Sequence, residues 1–404
     1  MKALTKRITY QQTIYACYVG YVVQAIMNNL SPLLFLTFQR SLGISLEKVG
    51  LLVTINFTTQ ILVDFLSAKY VDRFGYRASV IFAHAMGTIG LIGMGVFPLL
   101  FADPYIGLVF ASVINAVGGG IIEVLVSPIV EAAPSREKEK AMSILHSFYC
   151  FGHMGVVLLS TLAFGLLGME RWYIVPVIWS IIPFLNCFFF ALVPIQTVTA
   201  EEETFPTRKL LSMKVFWLFV VLMICAGASE QAMSQWASFF AESGLKISKT
   251  LGDLLGPCAF AAMMAVSRVF YGKMGHKIKI QKFMLGSCVL CIVSYLVAVF
   301  APIPLLALTG CALCGLSVGI MWPGTFSMAV KECPQGGTAM WAFLALAGDI
   351  GCAAGPTAVS IVSEFFTEYG IKAGLFAAIV FPLAMLLIRL QMGQKKYRRA
   401  ESEL

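Results

Sequence analysis

An all-α membrane protein, with twelve transmembrane helices in two pseudo-symmetric six-helix bundles, is the fold class the sequence predicts, on three observations. The 404-residue chain is 59% hydrophobic and only 12% charged, with a mean hydropathy of +0.84, whereas soluble domains carry about 25% charge. So few charges cannot cover a water-facing surface. Apolar runs of 20 or more residues recur from end to end, each long enough to cross a hydrocarbon core of about 30 Å. Finally, short patterns in the first half return in the second.

Apolar runs, read against Gly, Pro and charge breaks, predict helices at 13–38, 47–71, 78–101, 104–132, 140–167, 172–194, 214–242, 249–273, 280–301, 303–331, 337–367 and 370–391. The segment Met1 to Gln12 is polar and basic. The first apolar run is too long for the h-region of a signal peptide, so it is expected to stay as the first helix. A polar stretch from Gln196 to Met213, with Glu201, Glu202, Glu203 and Pro206, falls almost at the midpoint. It divides the chain into an N-terminal bundle (1–194), a linker (195–213) and a C-terminal bundle (214–404).

Charge bookkeeping sets the expected orientation. With the N-terminus inside, the inner segments hold 21 Lys and Arg residues and the outer loops six (Arg40, Lys48, Arg171, Lys246, Lys249, Lys372), leaving Arg268 and Arg389 within helices. That asymmetry is what an even helix count with both termini cytoplasmic requires. The net charge of +8 therefore reflects membrane topology. Its cations lie in short loops and at the two ends, with no basic face for nucleic acid.

The repeat argues for two related halves. Asp72-Arg73-Phe74-Gly75-Tyr76-Arg77 follows the second helix, and Gly272-Lys273-Met274-Gly275-His276-Lys277 follows the eighth, 200 residues later. Phe151-Gly152-His153-Met154-Gly155 is echoed by Ala347-Gly348-Asp349-Ile350-Gly351 at an offset of 196. Two such halves place a solute site between them near the midplane.

A charge at the bilayer centre costs about 2.5 to 3.5 kcal/mol on insertion scales, so ionisable groups inside spans face the bundle interior and mark a pathway. In the fourth helix Asn115, Gly119, Glu123, Ser127 and Glu131 recur every fourth residue, as Asn56, Gln60 and Asp64 do in the second; each set shares one helix face. Gln24, Asn28 and Pro32 line the first helix with Asn29 beside them, and His146, Tyr149, Cys150 and His153 line the fifth. In the seventh, Glu230, Ser234 and Ser238 adjoin Gln231, Gln235 and Trp236. These amides and hydroxyls serve either as solute ligands or as interhelical hydrogen bonds worth about 0.6 kcal/mol each. Glu123, deep and just after Gly118-Gly119-Gly120, is the leading candidate for proton exchange, with Asp349 and Glu230 behind it; Asp349 has His153 as an alternative partner. Glu131 and Asp64 lie nearer the inner ends, within reach of Arg73, Arg77 or Arg136 as ion-pair partners. Trp236, Trp322 and Trp341 either face lipid or offer their rings to the apolar face of a sugar.

Eleven cysteines include Cys288, Cys291, Cys311 and Cys314 at zinc-ribbon spacing. Both pairs lie inside apolar helices, where Cys behaves as a small hydrophobe, and the four His have no ligand spacing, so neither a metal nor another cofactor is expected. No nucleophile and base share an obvious site, which argues against an enzyme.

The loop Asp72-Arg73-Phe74-Gly75-Tyr76-Arg77 resembles the signature of the major facilitator superfamily between its second and third helices, with Ala68 where that family usually has Gly. Within the superfamily, several patterns resemble the fucose-permease-like sugar/proton symporters. These are Asn28-Asn29-Leu30, Gly120-Ile121-Ile122-Glu123 followed by Pro128, Ser147-Phe148 with Phe151-Gly152, and Gly319-Ile320-Met321-Trp322-Pro323. The resemblance implies the major facilitator fold and proton-coupled symport of a sugar or sugar-like metabolite, with the family's proton-coupling glutamate at Glu123. Pro32 stands where that family has an aspartate, and Tyr149 where it has an asparagine. Asp72, Arg73, Gly75, Arg77 and Glu131 are then expected to form an inner gate, and the chain to act as a monomer in the cell membrane. A proton-coupled exporter of drugs or metabolites on the same fold is the alternative.

Overall fold

The computed structural model describes residues 9–134, 138–196, 207–274, 278–333 and 336–402. The side chains of Asp72 and Trp341 lie outside that description, as does most of the expected linker (197–206).

Apolar sequence in lipid must satisfy its backbone groups internally, and here it does so by forming helices. Among the described residues twelve helices are long and apolar enough to cross a membrane. They are α1 (Tyr10–Leu42), α2 (Leu46–Phe74), α3 (Tyr76–Leu100), α4 (Pro104–Ala132), α5 (Lys138–Leu167), α6 (Ile174–Leu192), α7 (Lys214–Phe239), α8 (Lys249–Asp253 and Ala259–Met274), α9 (Ile280–Phe300), α10 (Pro304–Glu332), α11 (Gly337–Phe365) and α12 (Ile371–Ala377 and Val380–Ser402). No strand occurs among the described residues.

Starts and stops follow local chemistry. The Asp103 carboxylate accepts from the Tyr105 N–H at 2.9 Å, and Pro104 opens α4 at a position needing no donor. Gly168 (φ 82°) and Gly370 (φ 52°) take the left-handed backbone between α5 and α6 and between α11 and α12. The runs expected to be single helices are broken in places. In α1 the 3-10 turn Ser31–Leu34, with Pro32 near its start, separates Tyr10–Asn29 from Phe35–Leu42, because proline cannot donate within a helix. α10 breaks between Val318 and Met321. α6 breaks at Ser180 and α12 at Ala378, 198 residues apart, so the repeat extends to the interruptions.

The chain forms two compact units, Met1–Glu201 and Glu202–Leu404. In the first, α4 packs on α1, α2 and α3, α5 on α1, and α6 on α3. In the second, α10 packs on α8 and α9, α11 on α7, and α12 on α9. Burial runs opposite to that of a soluble domain: Phe365 is 84% and Leu166 78% exposed, while Asn115 is 1% and Asp349 3% exposed. Such an apolar exterior belongs in lipid.

Close seams depend on glycine. A Cβ on Gly118 would stand 2.6 Å from the Ala83 carbonyl oxygen and 2.8 Å from the Gly87 nitrogen, both backbone atoms of α3 that cannot step aside. Gly118→Val is therefore expected to destabilise the N-terminal unit by about 1–3 kcal/mol through overpacking. Thermal unfolding of the purified variant measures this, and an unchanged midpoint would show that α3 and α4 can separate freely.

Candidate functional site

In the N-terminal unit the residues of the α1, α2 and α4 stripes meet along one polar seam. Gln24 Nε2 donates to the Glu123 carboxylate at 2.5 Å. One turn further along α1, Asn115 Nδ2 donates to the Met27 carbonyl at 3.1 Å, and Gln60 Nε2 donates to Asn28 Oδ1 at 2.9 Å. The triple glycine makes this possible: Gly119 faces Gln60 Nε2, and a Cβ on Gly120 would meet Val63 at 3.1 Å and Asp64 at 3.2 Å. Without side chains at 118–120, α4 comes close enough for short amides to bridge the helices. Two acceptors along the seam, Gln60 Oε1 and Asn115 Oδ1, are buried without a hydrogen-bond partner among the described residues, a costly condition.

Tyrosines and histidines border that seam. Asn29 Nδ2 donates to the Ala25 carbonyl at 2.9 Å and reaches the Tyr149 hydroxyl at 3.4 Å. Tyr21 shares a 2.9 Å hydrogen bond with Ser127, and its ring lies 5.5 Å from that of His146. His146 is exposed and His153 buried on α5. Glu131 is exposed near the end of α4. In the signature loop Arg73 is exposed and Gly75 holds φ 84°, while Arg77 Nη1 donates to the Phe190 and Ala191 carbonyls at 2.8 and 2.9 Å, at the end of α6.

The C-terminal unit carries its own polar line on α7. Gln235 Nε2 donates to Gln231 Oε1 at 3.0 Å, and Gln231 Nε2 reaches Glu230 at 3.4 Å. The Arg268 guanidinium donates through Nε to the Gly319 carbonyl at 3.3 Å, at the break in α10. Trp322 packs against Gly348 on α11, one residue before the buried Asp349. Trp236 is wholly buried, and its indole N–H donates to the Pro356 carbonyl at 3.0 Å; that ring fills the interior and has no free polar edge.

Two polar clusters escaped the sequence reading. At the far end of α7, Lys249 Nζ lies 2.8 Å from Asp253 and 3.3 Å from Glu242, while Ser238 Oγ donates to Asp253 at 2.5 Å. Charge bookkeeping places Lys249 in an outer loop, although its i,i+4 spacing from Asp253 is visible in the sequence. His84 is fully buried; its Nδ1 donates to the Val80 carbonyl at 2.8 Å and its Nε2 accepts from Asn186, 2.9 Å away. Nothing in its spacing could have named Asn186, which lies 102 residues distant. None of the eleven cysteines forms a disulfide, and among the described residues no group of three or more His, Cys, Asp or Glu is gathered to hold a metal ion.

The sequence profile of the Major Facilitator Superfamily matches residues 17–356. The chain belongs to the major facilitator superfamily. Solved structures agree on the fold. A D-xylose–proton symporter aligns with a TM-score of 0.77 at 14% identity, covering 94% of this chain and 96% of the other. The fucose–proton symporter of E. coli aligns at 0.67 and 14%, covering 94% and 98%, and a bacterial homologue of the human lysosomal transporter Spinster at 0.74 and 15%, covering 94% and 96%. No curated protein sequence matches significantly. As a member of this superfamily the chain is an integral membrane transporter, not an enzyme.

Proposed function

We propose that this superfamily member is a secondary active transporter that carries a small polar solute, a sugar or sugar-like metabolite, together with protons by alternating access. The observation that carries the reading is the Gln24–Glu123 hydrogen bond at 2.5 Å within a seam of amides. An ionised carboxylate only accepts hydrogen bonds, whereas a protonated one also donates. Taking up a proton therefore changes which partner Glu123 can hold on α1, and so links its charge to the seam and to a bound solute. Asp349 and Glu230 are secondary proton-handling candidates in the C-terminal unit.

Hydroxyl groups of a sugar would supply the donors that Gln60 Oε1 and Asn115 Oδ1 lack. Tyr149, His146, His153, Gln231, Gln235 and Trp322 complete the proposed contact set. Two of the structural neighbours are named as proton symporters of D-xylose and fucose, which supports this solute class. The loop residues Asp72, Arg73, Gly75 and Arg77, with Glu131, are proposed as the inner gate. The excess of inner-loop cations supports the orientation with both termini cytoplasmic, and the proposal includes a monomer in the cell membrane with a two-bundle division at 195–213.

Proteoliposomes with a pH-sensitive dye and a panel of monosaccharides, glycosides and small acids test the proposal. Adding the right solute outside should carry protons inward, and an acid-outside gradient should concentrate that solute. Proton movement opposite to the solute would replace symport by the exporter reading. Solute movement with no proton flux would remove coupling altogether.

A further inference from the structure

A groove of about 570 Å³ lies on the N-terminal unit, lined by residues of α2 and α3 and by Val117 and Ile121 of α4. From Val63 to Phe74 its α2 wall runs over twelve residues, about 16 Å of helix from first to last. That is half of a hydrocarbon core of about 30 Å, the depth of one leaflet. Phe74 and Ala78 line it where α2 ends and α3 begins, which places that end toward the membrane surface. Its lining is apolar apart from Ser67 and Ser79, and the Ser79 hydroxyl is committed to the Gly75 carbonyl at 3.0 Å.

We infer that this groove holds one acyl chain of an anionic phospholipid, with the headgroup phosphate at Arg73. The fit to one acyl chain follows from the groove, whose α2 wall is as long as a leaflet is deep. Selectivity cannot come from the apolar wall, since lipid tails are equally available everywhere in the bilayer. It comes from charge: Arg73 is exposed at the surface end, one heptad beyond Leu66 of the lining and therefore on the same face of α2. The segment 69–77 carries three cations, Lys69, Arg73 and Arg77, against one acid, Asp72. Arg77 is turned to the α6 carbonyls, which leaves Arg73 as the described cation for the phosphate. Val63, at the deep end, is also the side chain that Gly120 faces at 3.1 Å. The bound chain thus backs onto the α2–α4 seam that carries Gln60.

Native mass spectrometry of the full chain, exchanged into a mild detergent with equal phosphatidylglycerol and phosphatidylcholine, tests the assignment. One phosphatidylglycerol should stay bound at energies that strip the rest. Arg73→Gln should lower its affinity about fivefold, the loss of one cation near the surface, while leaving phosphatidylcholine retention unchanged. Ala78→Trp, which fills the mouth, should remove the tightly held lipid. Arg73→Gln, an exposed substitution, keeps the test valid if the tryptophan variant does not fold. Equal retention of the two lipids by the wild-type chain, or an unaltered preference in Arg73→Gln, would overturn the proposal.

Discussion

Glu123→Gln is expected to abolish proton-driven accumulation of solute while sparing counterflow exchange. The substitution keeps the shape of the side chain and a partner for Gln24, now 2.5 Å from the carboxylate, but an amide cannot load or release a proton. One proton per solute concentrates solute by about tenfold per pH unit of gradient, and the variant should bring that ratio to one. Exchange of labelled for unlabelled solute needs no net proton movement, so its rate should stay within a few fold of wild type. A variant that still concentrates solute would take Glu123 out of the coupling step. Loss of both activities would instead assign it to binding.

The second large effect is structural and lies in the C-terminal unit. Asp253 is fully buried and receives Lys249 at 2.8 Å and Ser238 at 2.5 Å. Removing one member of a buried pair leaves an uncompensated charge, at a cost of about 3–5 kcal/mol. Glu242 stays 3.3 Å from Lys249, so Asp253→Ala belongs at the lower end of that range. Thermal unfolding in detergent should register a large fall in midpoint, and the double variant Lys249→Met/Asp253→Leu should regain most of it, since apolar groups replace a buried pair at little cost. A single variant as stable as wild type would mean that water reaches the cluster.

The spans were legible because membrane thickness imposes a minimum apolar length, which composition alone reveals: the expected α4 and the observed Pro104–Ala132 coincide. Interruptions were less legible. Phe240–Gly244 and Leu254–Cys258 adopt wider π turns in runs that read as plain helix, because hydropathy does not register a change in hydrogen-bond spacing. For the candidate site, periodicity could say that Asn115, Gly119 and Glu123 share a face, since they lie one turn apart. It could not say that this face meets Gln24 and Gln60, because partner choice depends on how close two backbones approach. Trp236 illustrates the limit. It sits beside Gln235 in sequence, yet its N–H is turned to Pro356, 120 residues away.

The glycine contacts have a mechanical corollary. Where Gly118 lies on Ala83 and Gly87, and Gly310 on Ser294 and Ala298, backbone rests on backbone with no cushion of rotatable side chains. Such joints resist sliding and compression alike, so the helices they clamp turn as stiff staves. Whatever deformation transport demands is left to places with slack, such as the Ser31–Leu34 turn in α1 and the interruption at Gly319–Ile320 in α10, where the regular helix is already broken.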